Sequence, residues 1–510
     1  MLSRNSLHSL PIKRLVTCLL VPFAIGNLAC SPVVAATLPV TNCNDAGNGS
    51  LRAALALAHS GDIISLTALT CSRISLTTGE LLISVNDLTL QGPGADALTI
   101  AGGQAPEHSY AVLNHTGKGT FRVDALTVTD NQAQYQGNNS SRCVRSGSGT
   151  ISLNRSTVTT CSGGGVYANG LLMRDSTISY SRQGVAIFGN VSIIGSTING
   201  NSSADCAGIR LVSSTVLISN STISGNVAFG TGFYTYDGHY AAGCILGRAT
   251  ITNSTVAFNG AGSYYSGGLN VQADVTIESS IFAHNYGSDL VAGLVSGHNN
   301  LITSFAAAVP ADTIRTDPLL LPLADNGGPT LTHALELHSP AIDAGNNLSG
   351  LATDQRGASF ARSVGAKPDI GAFESQVPAP PVVAIGPGFT GSWFDPAQSG
   401  HGLMLEVLTD HRVLAMWFAF NPEGTQQSWF GGVGTYSGNT ATITDVALPT
   451  GGRWIPNFNP NAIVRNPWGT LTLTFTDCTH GRIDFNSVRG YGSGSMDLTR
   501  LTQPAGLACP

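Results

Sequence analysis

"NSTISGN", at Asn220–Asn226, is one of six near-copies of a phrase in this 510-residue chain. "RSTVTTC" begins at Arg155, "DSTISYS" at Asp175, "GSTINGN" at Gly195, "NSTVAFN" at Asn253 and "SSIFAHN" at Ser279. The second residue of each copy is a serine: Ser156, Ser176, Ser196, Ser221, Ser254 and Ser280, at intervals of 20, 20, 25, 33 and 26 residues. A short apolar element follows each of the first five copies, as in "GVYA" at Gly165, "GVAI" at Gly184, "GIRL" at Gly208, "GCIL" at Gly243 and "GLNV" at Gly268. Another precedes each copy, as in "TISL", "VSII", "TVLI" and "DVTI". Three short strands per coil of about 20 residues predict a parallel β-helix, whose coils bury a continuous core only by stacking.

Within the phrase, alternation sends Thr and Ser outward and Ile or Val inward. The recurrent Asn fits a coil corner, where it tolerates left-handed backbone and bonds its own main chain. Stacked about 4.8 Å apart, such corners predict Asn ladders. The phrase is therefore read as a coil corner rather than a catalytic signature, and the longer intervals as loops inserted between strands. The handedness of the β-helix, taken as right-handed, rests on the general rule for parallel crossovers.

Composition agrees with this reading. The 61 glycines and 11% charged residues favour turns and strands over salt-bridged helices. A net charge of −6 gives no reason to expect nucleic acid or an anionic membrane as partner. Arg4, Lys13 and Arg14, the apolar "LVTCLLVPFAIGNLA" and the small residues Val34 and Ala36 read as an export signal over 1–36. Cys30 in "NLAC" offers a lipid-attachment alternative, although Asn27 stands where an aliphatic residue is expected. No other apolar run is long enough to span a bilayer.

Beyond the leader, eight cysteines remain without a CxxC or Cys/His cluster, which favours disulfides over metal. Their order points to neighbouring pairs: Cys43 with Cys71, Cys143 with Cys161, Cys206 with Cys244, and Cys478 with Cys509. Order alone leaves other connectivities open.

The open end of the stack needs a cap, and "GSLRAALALAHSGDIISL" supplies a short amphipathic helix from about Leu51 to Ala58, then a strand. "SLRAALALA", "GDIISL" and "LTLQGPG" resemble the N-terminal segment of bacterial surface β-helix proteins with a CSLREA-type motif, here without a Cys adjacent to the SLR. Between Asp317 and Glu374, "TDPLLLPLADNGGPTLTHALELHSPAIDAGNN" and "TDQRGASFARSVGAKPDIGAFE" resemble the end of the choice-of-anchor Q family. That resemblance implies an exported, pectin-lyase-like β-helix at the envelope or outside the cell, and no catalytic residues. Asp354, Arg356, Asp369 and Glu374 in this stretch are read as buried or capping ion pairs that close the last coil.

The expected organisation is thus a signal peptide (1–36), a capped β-helix (37–315), a closing segment (316–374), a Pro-rich linker (375–388) and a C-terminal domain (389–510). All five tryptophans lie in the last. Its alternating runs predict a small antiparallel β-barrel or sandwich. "GSWFDPAQSGHG", "WFAFNPEG" and "WGTLTLTFTDC" resemble a module appended to various exported bacterial proteins.

Chemistry is sparse. The acids of the coils (Asp96, Glu107, Asp124, Asp130, Asp175, Asp205, Asp237, Asp274, Glu278 and Asp289) form no DD or DxD pair of the kind a calcium-assisted lyase would gather. The polygalacturonase-type set of NTD, DD, GHG and RIK is represented only by GHG at Gly400–Gly402, outside the coils, and is read as a turn. Neither G-x-S-x-G nor H-E-x-x-H occurs. No cofactor or metal is expected.

The most suggestive feature is aromatic. Phe233, Tyr234, Tyr236, Asp237, His239 and Tyr240 share the longest inserted loop, and Tyr264 and Tyr265 lie in the loop of the next coil. Such rings can stack on sugars while their hydroxyls bond; the plainer reading packs them on each other. Trp393, Trp454 and Trp468 lie near turns and are the better candidates for a glycan-binding face, although core packing is the favoured reading for them too, whereas Trp417 and Trp429 read as core. These features favour an exported, noncatalytic protein that binds polysaccharide or another surface component. A polysaccharide-active enzyme working near Tyr236–Tyr240 and a purely structural stalk are the alternatives.

Overall fold

The computed structural model describes residues 35–103, 111–130, 142–212, 215–229, 241–261, 267–377 and 383–509. The chain separates into two compact units, dividing after Pro378. The first is a parallel β-helix and the second a closed eight-stranded antiparallel barrel.

Each coil of the β-helix contributes strands to three parallel sheets. In one coil these are Val166–Ala168 (sheet 1), Gly170–Arg174 (sheet 2) and Thr177–Ser179 (sheet 3). The repeated phrase supplies sheet 3. Thr177, Thr197, Thr222 and Thr255 pair in register through successive coils, as do Ile178, Ile198, Ile223 and Val256. The inward Ile and Val side chains are completely buried, so each coil completes the core of the next.

The phrase is more than one corner: it is corner, strand and corner. Left-handed backbone occurs at Asn220 (φ 53°) and Asn253 (φ 45°), before the strand, and again at Gly225 (φ 64°) and Phe258 (φ 57°), after it. The second Asn of the phrase, Asn226 or Asn259, thus follows the left-handed residue and turns its amide inward.

Two ladders result. The backbone N–H of Ser156 donates to Oγ of Ser176, and the relay repeats through Ser196, Ser221, Ser254 and Ser280 to Oδ1 of Asn300. At the other corner, the backbone and side-chain N–H groups of Asn201 both donate to Oδ1 of Asn226, at 3.1 and 2.9 Å. Asn226 repeats this on Asn259, and Asn259 on Asn285. Asp289 ends the row with an acceptor-only carboxylate, which takes two bonds from Asn285 and two more from Thr303 and Ser304. Buried polar groups are tolerated here because every donor that the corner turns inward meets an acceptor one coil away.

The N-terminal end is capped by a helix at Leu51–Leu57, whose N-cap Ser50 accepts from Ala53 N–H and whose Leu51 and Ala54 face the core. Asp45 ties this cap to the first coils. Its carboxylate accepts from Arg52 and from the backbone and hydroxyls of Thr77 and Thr78. Burial works to raise its pKa, but those bonds outweigh burial and hold it well below the usual carboxylate range.

The segment after the last coil does more than close its end. Ile314 does pair with Leu301 of the final coil, but the chain then returns along the outside of sheet 3. Thr330 bonds Gly195 O, Gln355 bonds Thr197 and Thr222, His333 pairs with Ser224, and Ala372 N–H donates to Thr255. This cover explains why the outward Thr197, Thr222 and Thr255 are buried, whereas Thr177, which it does not bond, is half-buried. The segment holds itself together with two buried ion pairs, Arg356–Asp354 (2.6 Å) and Arg362–Glu374 (2.8 Å), and Arg356 lies 3.9 Å from the ring centres of both Phe360 and Phe373.

All four neighbouring cysteine pairs form disulfides: Cys43–Cys71, Cys143–Cys161, Cys206–Cys244 and Cys478–Cys509. The last lies in the barrel, whose first strand, Gly391–Phe394, pairs with both the second and the eighth to close it. Its interior is aromatic: Trp393, Trp417, Phe430, Trp468 and Phe475 pack there.

Candidate functional site

The aromatic loop residues Phe233, Tyr234, Tyr236, Asp237, His239, Tyr240, Tyr264 and Tyr265 lie outside the described residues. Their roots are placed: the two loops lead into the sheet 1 strands Ala241–Ile245 and Leu269–Val271, which pair directly with each other. Sheet 1 is therefore the sheet that carries the roots of both loops.

One row of the outer face of sheet 1 runs Arg145, Tyr167, Ala186, Arg210 and Cys244 on successive coils. Pleating decides this: Val144, Val166, Val185 and Ile209 point inward, so the next residue of each strand points out. Arg142 joins the row from the turn before its strand. The guanidinium carbons of Arg142 and Arg145 lie 5.8 and 5.9 Å from the Tyr167 ring centre. Phe188 packs on the same ring at 5.2 Å and 57°. Arg210 reaches Asp205 at 4.0 Å, the outer limit of an ion pair.

Arg142 is the unusual member. It sits against Gly164, where a Cβ would fall 2.1 Å from Nη1, so a larger residue there would force the guanidinium to shift. Burial pulls its pKa down to about 10, with Tyr167 and Asp205 acting against that, and it stays a cation at neutral pH. Its buried Nη1 has no hydrogen-bond partner among the described residues. Two guanidinium groups thus stand beside the Tyr167 ring, with Arg210 two coils further along the row and Asp205 as the acid that opposes them. This arrangement can pair with carboxylate or sulfate and stack on a sugar ring.

No three His, Cys, Asp or Glu side chains among the described residues converge as a metal site. Asp289 belongs to the Asn ladder and Asp124 pairs with Arg155 at 3.0 Å. The GHG histidine, His401, touches the edge of Phe420 in a barrel loop.

Trp393 and Trp468 follow the core reading, and Trp429 corrects it. Trp393 and Trp468 are 0% and 1% exposed and so present no face, whereas Trp429, read as core, is 49% exposed. Counting inward by twos from Leu473 and Leu471 would place Gly469 inside and Trp468 outside. A register irregularity between Val446 and Ala447, opposite Gly469, shifts the phase and turns Trp468 into the core, stacked on Phe430 at 4.0 Å. In "SWFGG" only one of two adjacent aromatics can point in, and it is Phe430. Trp417 is core, and Trp454 stands 86% exposed.

Arg142, Arg145, Tyr167, Phe188 and Arg210 form no motif in the sequence. Aligning "VRS", "VYA", "VAI" and "IRL" coil by coil would have put their central residues in one outward column.

No family model matches the chain, and no curated protein matches it. Among solved structures, ORF18 of Geobacillus virus E2 is similar at 8% identity over 91% of this chain and 86% of that one, with a TM-score of 0.25. Likeness at that level carries no argument.

Proposed function

We propose that this is an exported, noncatalytic surface or secreted protein of the choice-of-anchor Q kind, whose β-helix binds an acidic polysaccharide along the outer face of sheet 1. Four disulfides fit folding in an oxidising compartment. The observation that carries the binding reading is the outward row on which Arg145, Tyr167 and Arg210 stand, with Arg142 and Phe188 against Tyr167: cations and a ring face share one side of the stack. The tyrosine-rich loops belong to this proposal because their roots enter the same sheet.

The test is affinity electrophoresis of residues 37–510 in gels carrying polygalacturonate, alginate or neutral dextran, with polymer length followed by size-exclusion chromatography. Retardation is expected in the two acidic gels and should weaken with salt. Arg145→Ala with Tyr167→Ala should lower affinity at least about tenfold. Migration unchanged by any polymer would sink the proposal, and shortened polymer would make the protein an enzyme.

A further inference from the structure

The barrel is unlike at its two ends. Its chain enters at one of them, where Ile385 N–H donates to Gly438 O of a hairpin turn. Because the strands alternate in direction, the connections 395–401, 421–426, 451–463 and 488–492 all lie at the other end. That far end carries the barrel's largest exposed apolar side chains. Phe420, Trp429, Trp454, Ile455, Phe458 and Val488 are all exposed, and every residue from Arg453 to Arg465 is exposed.

This cluster is not core that has strayed outward. The barrel interior is already filled by its own aromatics, and the 451–463 connection is built by its own turns, with Asn457 N–H bonded to Trp454 O and Ala462 N–H to Asn459 O. Large apolar side chains exposed together at one end of a barrel are costly in water and mark a contact with something else.

Charge narrows what that is. Arg453, Arg465 and Arg489 are exposed around the cluster. The acids of the four connections are Glu423 and Asp395, and Asp395 is buried with its carboxylate bonded to Ala397 and Gln398. Trp, Phe and Ile at a loop tip, ringed by arginine, match the interface of an anionic bilayer: the rings enter at headgroup depth and the guanidinium groups meet phosphate. The barrel wall does not suit spanning, since its interior is apolar and its outer strands carry Thr440, Thr442, Thr472 and Asp497.

We infer that the barrel docks by this end onto an anionic phospholipid surface, through Trp454, Ile455 and Phe458 with Arg453 and Arg465. This docking is separate from polysaccharide binding on the β-helix.

Co-sedimentation tests it with residues 37–510, which lack the apolar leader that would itself enter lipid. The vesicles are phosphatidylethanolamine with one quarter phosphatidylglycerol, beside neutral phosphatidylcholine. Binding is expected on the anionic vesicles, weakened by salt. Trp454→Ala with Phe458→Ala should reduce it at least about tenfold without changing the melting temperature, because both side chains are exposed. Arg453→Glu with Arg465→Glu should reduce it too and flatten the salt dependence. No binding to anionic vesicles, or equal binding by both double variants, would overturn the inference. Loss of polysaccharide retardation by the Trp454/Phe458 variant, without vesicle binding, would reassign this end to a glycan.

Discussion

The β-helix and the barrel fill their interiors by opposite means. In the β-helix the inside is a row of near-identical layers, with Ile and Val in columns and Asn and Ser ladders at the corners. In the barrel the inside is a single aromatic cluster, in which Trp468 meets Phe430, Trp417, Phe485 and Tyr491 at once. A repeated interior spreads a defect to the neighbouring coils only, whereas a unique one involves the whole unit. The same contrast governs polarity. Coils stacked in register can place an amide beneath an amide, so buried polar groups are satisfied by repetition; the closed barrel has no such row and keeps its centre apolar.

The sharpest way to break this comparison is to truncate one residue at each centre. Trp468→Ala should destabilise the barrel by about 3–5 kcal/mol. In calorimetry it should lower one transition and leave the β-helix transition in place. A common shift of both would show that the units do not unfold separately.

Asn226→Ala should cost less, about 2–4 kcal/mol, by leaving the Asn201 backbone and side-chain donors without their shared acceptor. Hydrogen exchange should report the loss in the coils around Asn201 and Asn226 and not at Ser50 or Asp45. Faster exchange throughout the stack would mean that the coils behave as one cooperative body.

The smallest effect concerns the capped end. The Asp45 carboxylate titrates below its unfolded value of 3.8. Its contribution is therefore present above pH about 4 and is lost as pH falls toward the depressed folded value. Urea midpoints of the β-helix should drop between pH 5 and pH 2.5 (both approximate choices bracketing that window), and Asp45→Asn should lower the midpoint at the upper pH and reduce the drop. An identical pH profile in the variant would remove Asp45 as the cause.

Much of the fold was legible because it repeats. Ser176, Ser196 and Ser221 stand at one position of the phrase, and backbone periodicity converts that spacing into stacked coils. The helix after Ser50, the neighbouring disulfides and the Asn ladder were readable for the same reason, since each depends on residues close in sequence or one coil apart. The candidate site was less legible. Arg145, Tyr167 and Arg210 are unremarkable singly and become a row only when strands are set in register.

What the sequence determined by itself was the local and the periodic: the coil, its corners, the cap and the composition change that begins the second unit. Only tertiary structure decided the rest. The return of 316–374 over sheet 3 depends on bonds spanning more than a hundred residues, such as Gln355 to Thr197. The inward turn of Trp468 depends on a one-residue irregularity against a partner strand. Period-2 and coil-length patterns specify which way a side chain points along its own strand, but pairing across the fold sets which of those faces is covered and which is left to meet a ligand.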